Sequence, residues 1–347
     1  MTAAAPAAKS NVNILGLTKA DYKAAPSTLC AGCGHNSIAD KVIDATFELG
    51  LKQHEVIKLS GIGCSSKSPA YFLGRSHGIN TLHGRMPSVA TGALMANHQL
   101  YGVGVSGDGD TGSIGFGQFK HMVRRNVRMV YIVENNGVYG LTKGQFSATA
   151  DVGQELKHAG RNELPPLDLC LEAIIADCGF VARSFAGDPK HVTALIKAAF
   201  NFPGTAVLDI ISPCVTFNDK DDSTKSYAWG KSHDERVNDF TFVMQQDEIT
   251  VEYEEGETKA VELHDGSQIM LRKLDGKHDP TNRAAAITLL DEAREKQQFI
   301  TGLIYLNPAR ASLATAANMI DSPLAWLPES RTRPSRESLD KIVASLK

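Results

Sequence analysis

Two short polar stretches, each placed after an apolar run, contain residue types that bind metal ions and phosphate groups. Gly107-Asp108-Gly109-Asp110 ends one run, and Asn135-Asn136-Gly137 follows the run VRMVYIVE at 127–134. Mg²⁺ prefers carboxylate, amide and carbonyl oxygens, so Asp108, Asn136 and the backbone carbonyl of Val138 are the predicted magnesium ligands. Glycines at 107 and 109 would allow backbone N–H groups to approach a diphosphate.

A strand–helix–strand unit would bring these two stretches together. The run that ends at Ser106 predicts a strand, 114–125 a helix, and 127–134 a second buried strand. Parallel strands joined by a helix place both following loops at the carboxyl edge of the sheet, where open α/β sheets bind ligands. The sequence GDGD alone is equally typical of an ordinary turn, but its pairing with NNGVYG favours a cofactor site.

Three of the six cysteines lie near predicted helix starts and strand ends in the first part of the chain. Cys30 and Cys33 form a CxxC pair before a helix predicted from residue 37 to 49, and Cys64 lies in a glycine-flanked loop after the predicted strand 56–60. The partial positive charge at a helix start is expected to stabilise thiolates.

A fourth cysteine, Cys214, follows the predicted strand 205–212. If the sheet is parallel, these four thiolates converge, which fits either a structural zinc ion or a four-iron, four-sulfur cluster. The absence of a second CxxC pair favours the cluster. Cys170 and Cys178 lie in apolar stretches and are predicted to be core residues.

The remaining pattern predicts an α/β fold. Strands and helices alternate from 56 to 212, which indicates one doubly wound, mostly parallel sheet. Short antiparallel strands with glycine turns are expected over 246–275, and a helix over 280–298. We therefore expect an N-terminal arm (1–24), a cofactor-binding domain (25–245) and a C-terminal extension at a subunit interface (246–347).

Composition excludes some classes of function. The chain has 36 basic and 39 acidic residues and a formal net charge of -3, so nothing favours a nucleic-acid partner. No apolar run reaches the roughly 20 residues that span a bilayer, and the first residues lack the apolar region of a signal peptide. A cytoplasmic protein without a membrane segment is expected.

Several motifs together resemble the β subunit of the 2-oxoacid:ferredoxin oxidoreductases over roughly 25–245. They are CAGCGH, GIGCSS, LHGRMPSVATG, SGDGD, ENNGVYGLTKGQ and SPC. The LTKGQ form is similar to the 2-oxoglutarate enzymes rather than to the long single-chain pyruvate enzymes. The resemblance implies a fold of the thiamine diphosphate-binding type, with thiamine diphosphate, Mg²⁺ and one 4Fe-4S cluster held by Cys30, Cys33, Cys64 and Cys214.

The resemblance also implies roles for individual residues. His83 would face the reacting centre, although a histidine in such a position can equally be structural. Lys143, with Leu141, would bind the distal end of the substrate, because an ammonium group suits the second carboxylate of 2-oxoglutarate better than a methyl group. The alternative is that Lys143 is an ordinary solvated lysine. The residues expected to contact the cofactor are Ile62, Gly63, Cys64, Ser65, His83, Gly107, Asp108, Gly109, Asp110, Asn136, Val138, Gly140 and Leu141.

The implied activity is coenzyme A-dependent oxidative decarboxylation of a 2-oxoacid, or its reversal as a CO₂-fixing synthase, with electrons passed to ferredoxin. No glutamate of this chain is a convincing partner for the cofactor's aminopyrimidine, so the resemblance assigns that residue, and the coenzyme A site, to a separate α subunit in a dimer of αβ heterodimers. Two other functions stay open: a non-oxidative thiamine diphosphate-dependent decarboxylase or synthase subunit, and a metal-stabilised binding subunit without catalysis.

Overall fold

The computed structural model describes residues 11–156, 159–216, 249–263 and 268–346. Within these ranges nine strands form one sheet, and two short hairpins lie outside it. The strands are β1 (Val56–Ser60), β2 (His77–Asn80), β3 (Tyr101–Gly107), β4 (Met129–Asn135), β5 (Val138–Tyr139), β6 (Gln145–Phe146), β7 (Glu155–Leu156), β8 (Gly160–Arg161), β9 (Phe180–Phe185), β10 (Thr205–Ile211), β11 (Thr258–Glu262), β12 (Gln268–Lys273) and β13 (Gln298–Leu306).

Helices connect most of these strands. The α-helices are α1 (Gly34–Glu48), α2 (Met86–Ala96), α3 (Phe116–Arg125), α4 (Leu169–Ile175), α5 (Pro189–Asn201), α6 (Arg283–Glu295), α7 (Leu313–Ala316), α8 (Glu329–Thr332) and α9 (Arg336–Ser345). Short 3-10 helices span Lys19–Tyr22, Gln53–Glu55, Ser65–Ala70 and Leu324–Trp326, and one π-helical turn spans Asp110–Ile114. In the part of the chain that the structure describes, no helix is both long and apolar enough to cross a bilayer.

The sheet has the order β11-β12-β13-β9-β10-β4-β3-β1-β2. The six strands from β9 to β2 are mutually parallel, which confirms the predicted doubly wound, mostly parallel sheet. Every residue of β4 and of β10 is buried, as expected for strands covered on both faces. Helices α1 and α5 pack on one face, and α2, α3, α4 and α6 pack on the other.

The C-terminal third extends this sheet. The predicted antiparallel strands are present as β11 and β12, and the helix predicted over 280–298 is α6. Strand β13 was not predicted; it pairs antiparallel with β9 and parallel with β12. The predicted boundary between the cofactor-binding domain and the extension, at residue 245, lies outside the described residues.

In the described part of the predicted N-terminal arm, Tyr22 is fully buried and its hydroxyl donates to the carbonyl of Leu51 at 2.9 Å.

Candidate functional site

The four loops that follow β1, β3, β4 and β10 lie at the carboxyl edge of the sheet because these strands are parallel neighbours. The loops after β1 and β3 are in direct contact. A side chain at Gly61 would collide with the Asp110 carboxylate, and one at Gly107 would begin 2.9 Å from the Ser65 hydroxyl oxygen. The predicted cofactor-binding stretches Ile62–Ser65 and Gly107–Asp110 therefore form one wall of a site.

The Asp108 carboxylate is the most densely hydrogen-bonded group at this edge. It is 1% exposed, and burial raises its pKa in spite of the donors around it. Its Oδ2 accepts from the N–H of Gly137 at 3.1 Å, from the Thr149 hydroxyl at 2.6 Å and from the Ser147 hydroxyl. Its Oδ1 accepts from the N–H of Asn136 at 3.3 Å. The saturated Oδ2 fixes the carboxylate, whereas Oδ1 keeps a lone pair for a cation.

Asn136 lies next to this carboxylate, and its side-chain oxygen accepts from the N–H of Val138 at 3.0 Å. The structure thus places the predicted ligand Asp108 against the backbone of the turn that carries the other two, Asn136 and Val138. A carboxylate, an amide and a backbone carbonyl are the oxygen donors that suit Mg²⁺. The site residues fit the ion and the diphosphate that the sequence predicts.

Asp110 and His83 form a second polar pair. The Asp110 carboxylate accepts from His83 Nδ1, from the N–H of Gly84 at 2.6 Å and from the Ser106 hydroxyl at 2.6 Å. A carboxylate accepts, so His83 Nδ1 carries the hydrogen of this contact. The structure therefore gives the Asp110 side chain a clear role in orienting His83 and its loop.

Tyr139 completes this wall, although no feature of the sequence singles it out. Its ring lies 6.1 Å from the His83 ring, edge to face, and its hydroxyl donates to the carbonyl of Gly109 at 2.9 Å. A side chain at Gly109 would begin 2.5 Å from the Tyr139 ring. Glycine at this position thus permits the close packing of the two loops.

The hairpin of β5 and β6 presents Leu141 and Lys143 at its tip. Leu141 is 49% exposed, and Lys143 is also exposed. Lys143 adopts a left-handed backbone conformation with φ 74°, which is uncommon for a residue other than glycine. Across the described ranges, no hydrogen bond or ion pair engages the Lys143 ammonium group, so it is available to a ligand.

The start of α1 lies against the end of β10. A side chain at Gly34 would begin 2.7 Å from the Ser212 hydroxyl oxygen, and His35 Nδ1 lies 2.8 Å from the same oxygen. This contact places the CxxC pair beside Cys214. A negative charge on Cys214 raises the pKa of Cys33. A negative charge on Cys30 raises the pKa values of both Cys33 and Cys64. Each of the four predicted cluster ligands thus lies within electrostatic range of at least one other.

The expectation that the helix start stabilises a thiolate is wrong for Cys33 in the absence of a metal. Burial raises its pKa above the ordinary value of a thiol, and the charges of Cys214, Glu134 and Cys30 act in the same direction. The backbone N–H of His35 donates to Cys33 and lowers the pKa by less. Loss of hydration outweighs the helix end at this position, so metal binding would have to release the proton.

The described residues contain no group of three or more His, Cys, Asp or Glu side chains arranged around one metal ion. Cys170 and Cys178 are fully buried among apolar side chains, which confirms their predicted place in the core.

A buried carboxylate, Glu134, separates the cysteines from the Asp108 loop. It is fully buried, and burial raises its pKa well above the ordinary range. The Ser68 hydroxyl lies 2.9 Å and 3.0 Å from its two oxygens. His35 Nδ1 lies 3.5 Å from Glu134, and burial lowers the pKa of that histidine to about 4, so the ring is neutral.

Comparison with known proteins places this edge in a known family. Residues 61–210 match the family model described as "Thiamine pyrophosphate enzyme, C-terminal TPP binding domain". The chain is 43% identical over 194 residues to the 2-oxoacid:ferredoxin oxidoreductase subunit beta of Sulfolobus sp, covering 55% of this chain and 63% of that protein. It is 36% identical over 193 residues to the 2-oxoglutarate synthase subunit KorB of Methanocaldococcus jannaschii, covering 55% and 71%.

A solved structure matches almost the whole chain. It is a 2-oxoglutarate:ferredoxin oxidoreductase from Magnetococcus marinus with 2-oxoglutarate, coenzyme A and succinyl-CoA bound. The two sequences are 31% identical, and the alignment covers 95% of this chain and 96% of that chain with a TM-score of 0.69. The chain belongs to the β-subunit family of the 2-oxoacid:ferredoxin oxidoreductases.

Membership of this β-subunit family confirms the resemblance found in the sequence. The matched region spans about half to two thirds of the length of the first curated relatives. The thiamine pyrophosphate family model includes the loops after β1, β3 and β4, together with Lys143. Cys30, Cys33 and Cys214 lie outside the matched residues 61–210.

Proposed function

We propose that this chain is the cofactor-binding subunit for coenzyme A-dependent oxidative decarboxylation of a 2-oxoacid, with 2-oxoglutarate as the preferred substrate and succinyl-CoA as the product. The observation that carries this proposal is the meeting of the Asp108 loop and the cysteine-bearing loops at one sheet edge. Electrons would leave through a 4Fe-4S cluster to ferredoxin. The same machinery could run in reverse as a CO₂-fixing synthase.

The Asp108 loop would hold the magnesium ion and the cofactor. Asp108 Oδ1, the Asn136 side-chain oxygen and the Val138 carbonyl are the proposed ligands of the ion. When bound, thiamine diphosphate supplies a nucleophilic carbon and an electron sink for decarboxylation. Gly107 and Gly109 let the neighbouring loops pack closely against this one, and the residues from Ile62 to Ser65 would line the other side of the cofactor.

Side chains around this loop would bind and orient the substrate. Asp110 would hold His83 so that Nε2 faces the reacting centre. Lys143 and Leu141, at the tip of the β5–β6 hairpin, would contact the distal end of the substrate. An exposed ammonium group that has no partner among the described residues suits the second carboxylate of 2-oxoglutarate.

Cys30, Cys33, Cys64 and Cys214 are the proposed ligands of the cluster. Two further groups of this chain lie close enough to the ligand sulfurs to form hydrogen bonds with them. The Thr216 hydroxyl lies 3.7 Å from the Cys30 sulfur, and the N–H of His35 donates to Cys33. Hydrogen bonds to cluster sulfurs and burial set the reduction potential of such centres.

The proposal includes partners. An α subunit would supply the glutamate for the aminopyrimidine and the coenzyme A site, and two αβ heterodimers would associate. Ferredoxin would accept the electrons. The proposed location is the cytoplasm, where a reducing environment keeps cysteine thiols available to a cluster.

The test is to purify this chain anaerobically with its α subunit and to measure reduction of a viologen dye with a panel of 2-oxoacids. We expect dye reduction that requires coenzyme A and is fastest with 2-oxoglutarate. Asp108→Ala should abolish it and leave the iron content unchanged, whereas Asp44→Asn, far from this loop, should not reduce activity. Aldehyde release without dye reduction would instead indicate a non-oxidative enzyme, and a complex that binds no thiamine diphosphate would indicate a binding subunit.

A further inference from the structure

A continuous line of polar contacts runs from Asp108 through the interior of the sheet to the start of α4. Each contact joins two side chains, and most of these side chains are buried. The contacts are Asp108 Oδ2 to Thr149 Oγ1 at 2.6 Å, Thr149 Oγ1 to Asn135 Oδ1 at 2.8 Å, Asn135 Nδ2 to Asp209 Oδ1 at 3.0 Å, Asp209 Oδ2 to Arg183 Nε at 2.8 Å, and an Arg183 terminal nitrogen to Asp168 Oδ1 at 2.6 Å.

Strand register produces the central part of this line. Asp209 on β10 is directly opposite Arg183 on β9 and Val133 on β4. Asn135 lies two residues beyond Val133, on the same face of β4, and so reaches Asp209 diagonally. At the far end, Asp168 also accepts from the first backbone N–H groups of α4. The line is therefore anchored in three strands and one helix.

Stability alone does not account for these charges. Arg183 is 4% exposed and Asp209 is fully buried. Removing ions from water is costly, and apolar residues of similar volume often stabilise a core equally well or better. The line ends at the proposed magnesium ligand, which indicates a role in holding that ligand.

The Asp209–Arg183 pair fixes the orientation of the Asn135 amide. The Asp209 carboxylate only accepts hydrogen bonds, so it must face the amide nitrogen, and the amide oxygen consequently faces Thr149. The Thr149 hydroxyl has one hydrogen, which two acceptors share in a three-centre hydrogen bond: Asp108 Oδ2 at 2.6 Å and Asn135 Oδ1 at 2.8 Å. The Asn135 oxygen thus helps to fix the rotamer in which the Thr149 hydroxyl reaches Asp108 Oδ2.

We propose that Asn135 is a positioning residue for the magnesium ligand Asp108, acting through the Thr149 hydroxyl and anchored by the Asp209–Arg183 pair. This inference rests on the proposed function. Asn135 does not touch the ion; it keeps Thr149 on Oδ2, so that Oδ1 keeps its lone pair for the ion. Loss of such an outer contact typically weakens metal binding by about 10–100-fold.

The test measures Mn²⁺ affinity in the presence of thiamine diphosphate, with free Mn²⁺ followed by electron paramagnetic resonance in the complex of this chain with its α subunit. Asn135→Leu and Thr149→Val should each weaken Mn²⁺ binding by about 10–100-fold. Thr149→Ser keeps the hydroxyl and should bind Mn²⁺ nearly as well as the unaltered protein. Thr46→Val is the matched control, because the buried Thr46 hydroxyl donates to the Val42 carbonyl at 2.7 Å in α1.

Combining Asn135→Leu with Thr149→Val tests whether Asn135 acts on Mn²⁺ affinity through Thr149. Because Asn135 acts through Thr149, the double variant should bind Mn²⁺ about as well as the weaker single variant, rather than show the product of both losses. If all variants bind Mn²⁺ equally well, and their melting temperatures fall as in Thr46→Val, the positioning role is wrong. The proposed function would be unaffected by that result. If the unaltered complex binds no Mn²⁺ with the cofactor, the proposed function fails, and this inference fails with it.

Discussion

Replacing Lys143 by methionine tests the proposed substrate preference. The substitution keeps the length of the side chain and removes its charge. A hydrogen bond to a charged group contributes about 1.5–3 kcal/mol, and the exposure of Lys143 favours the lower end of that range. A loss of about 1.5 kcal/mol corresponds to roughly a tenfold fall in kcat/KM for 2-oxoglutarate. Pyruvate lacks a second carboxylate, so its kcat/KM should change by less than about twofold.

The assay is dye reduction by the complex with the α subunit, with each substrate varied at saturating coenzyme A. Lys277→Met, at an exposed lysine of the C-terminal third, controls for the loss of one surface charge. Lys143→Gly would relax the backbone at φ 74° and should lose the same selectivity as Lys143→Met, because the charge is the cause. Equal losses for 2-oxoglutarate and pyruvate would refute the reasoning.

Two other predictions concern the cluster and the effect of pH. Cys214→Ala should lower iron and acid-labile sulfide in the purified complex, whereas Cys170→Ala, in the core, should leave both unchanged; equal iron in the two variants would remove Cys214 from the ligand set. Burial lowers the pKa of His191 to about 4, with Asp188 raising it and Lys273 lowering it. The folded protein thus binds fewer protons than the unfolded chain between pH 4 and 6.5, so the free energy of unfolding should rise with pH across this range, by at most about 3 kcal/mol from this residue. His191→Asn should flatten that rise in urea titrations at several pH values, and an unchanged slope would contradict it.

The sequence predicts the parallel part of the sheet well, because β4 and β10 are mostly apolar runs that end in glycine or polar loops. It does not predict β13. This strand contains Gly302 at φ 135° and a register shift between Leu303 and Tyr305. Its pairing with β9 joins segments more than one hundred residues apart, and no local pattern encodes such a contact.

The loops of the site are also evident from the sequence, but their supporting residues are not. Ser147 and Thr149 lie in a polar stretch without periodicity, so their contact with Asp108 follows only from the fold. Arg183 and Asp209, in contrast, could have been selected from the sequence. Each is a charged residue within an otherwise apolar strand, and a charge buried in that way requires a partner.

The central claim is that a thiamine diphosphate site and an iron–sulfur site meet at one edge of this sheet. The most direct measurement is the content of iron, acid-labile sulfide and thiamine diphosphate in the anaerobically purified complex, compared with a complex in which this chain carries both Cys30→Ala and Cys33→Ala. The account predicts that the double substitution removes the iron and sulfide bound by this chain and leaves thiamine diphosphate bound. Unchanged iron and sulfide, or a native complex without thiamine diphosphate, would contradict it.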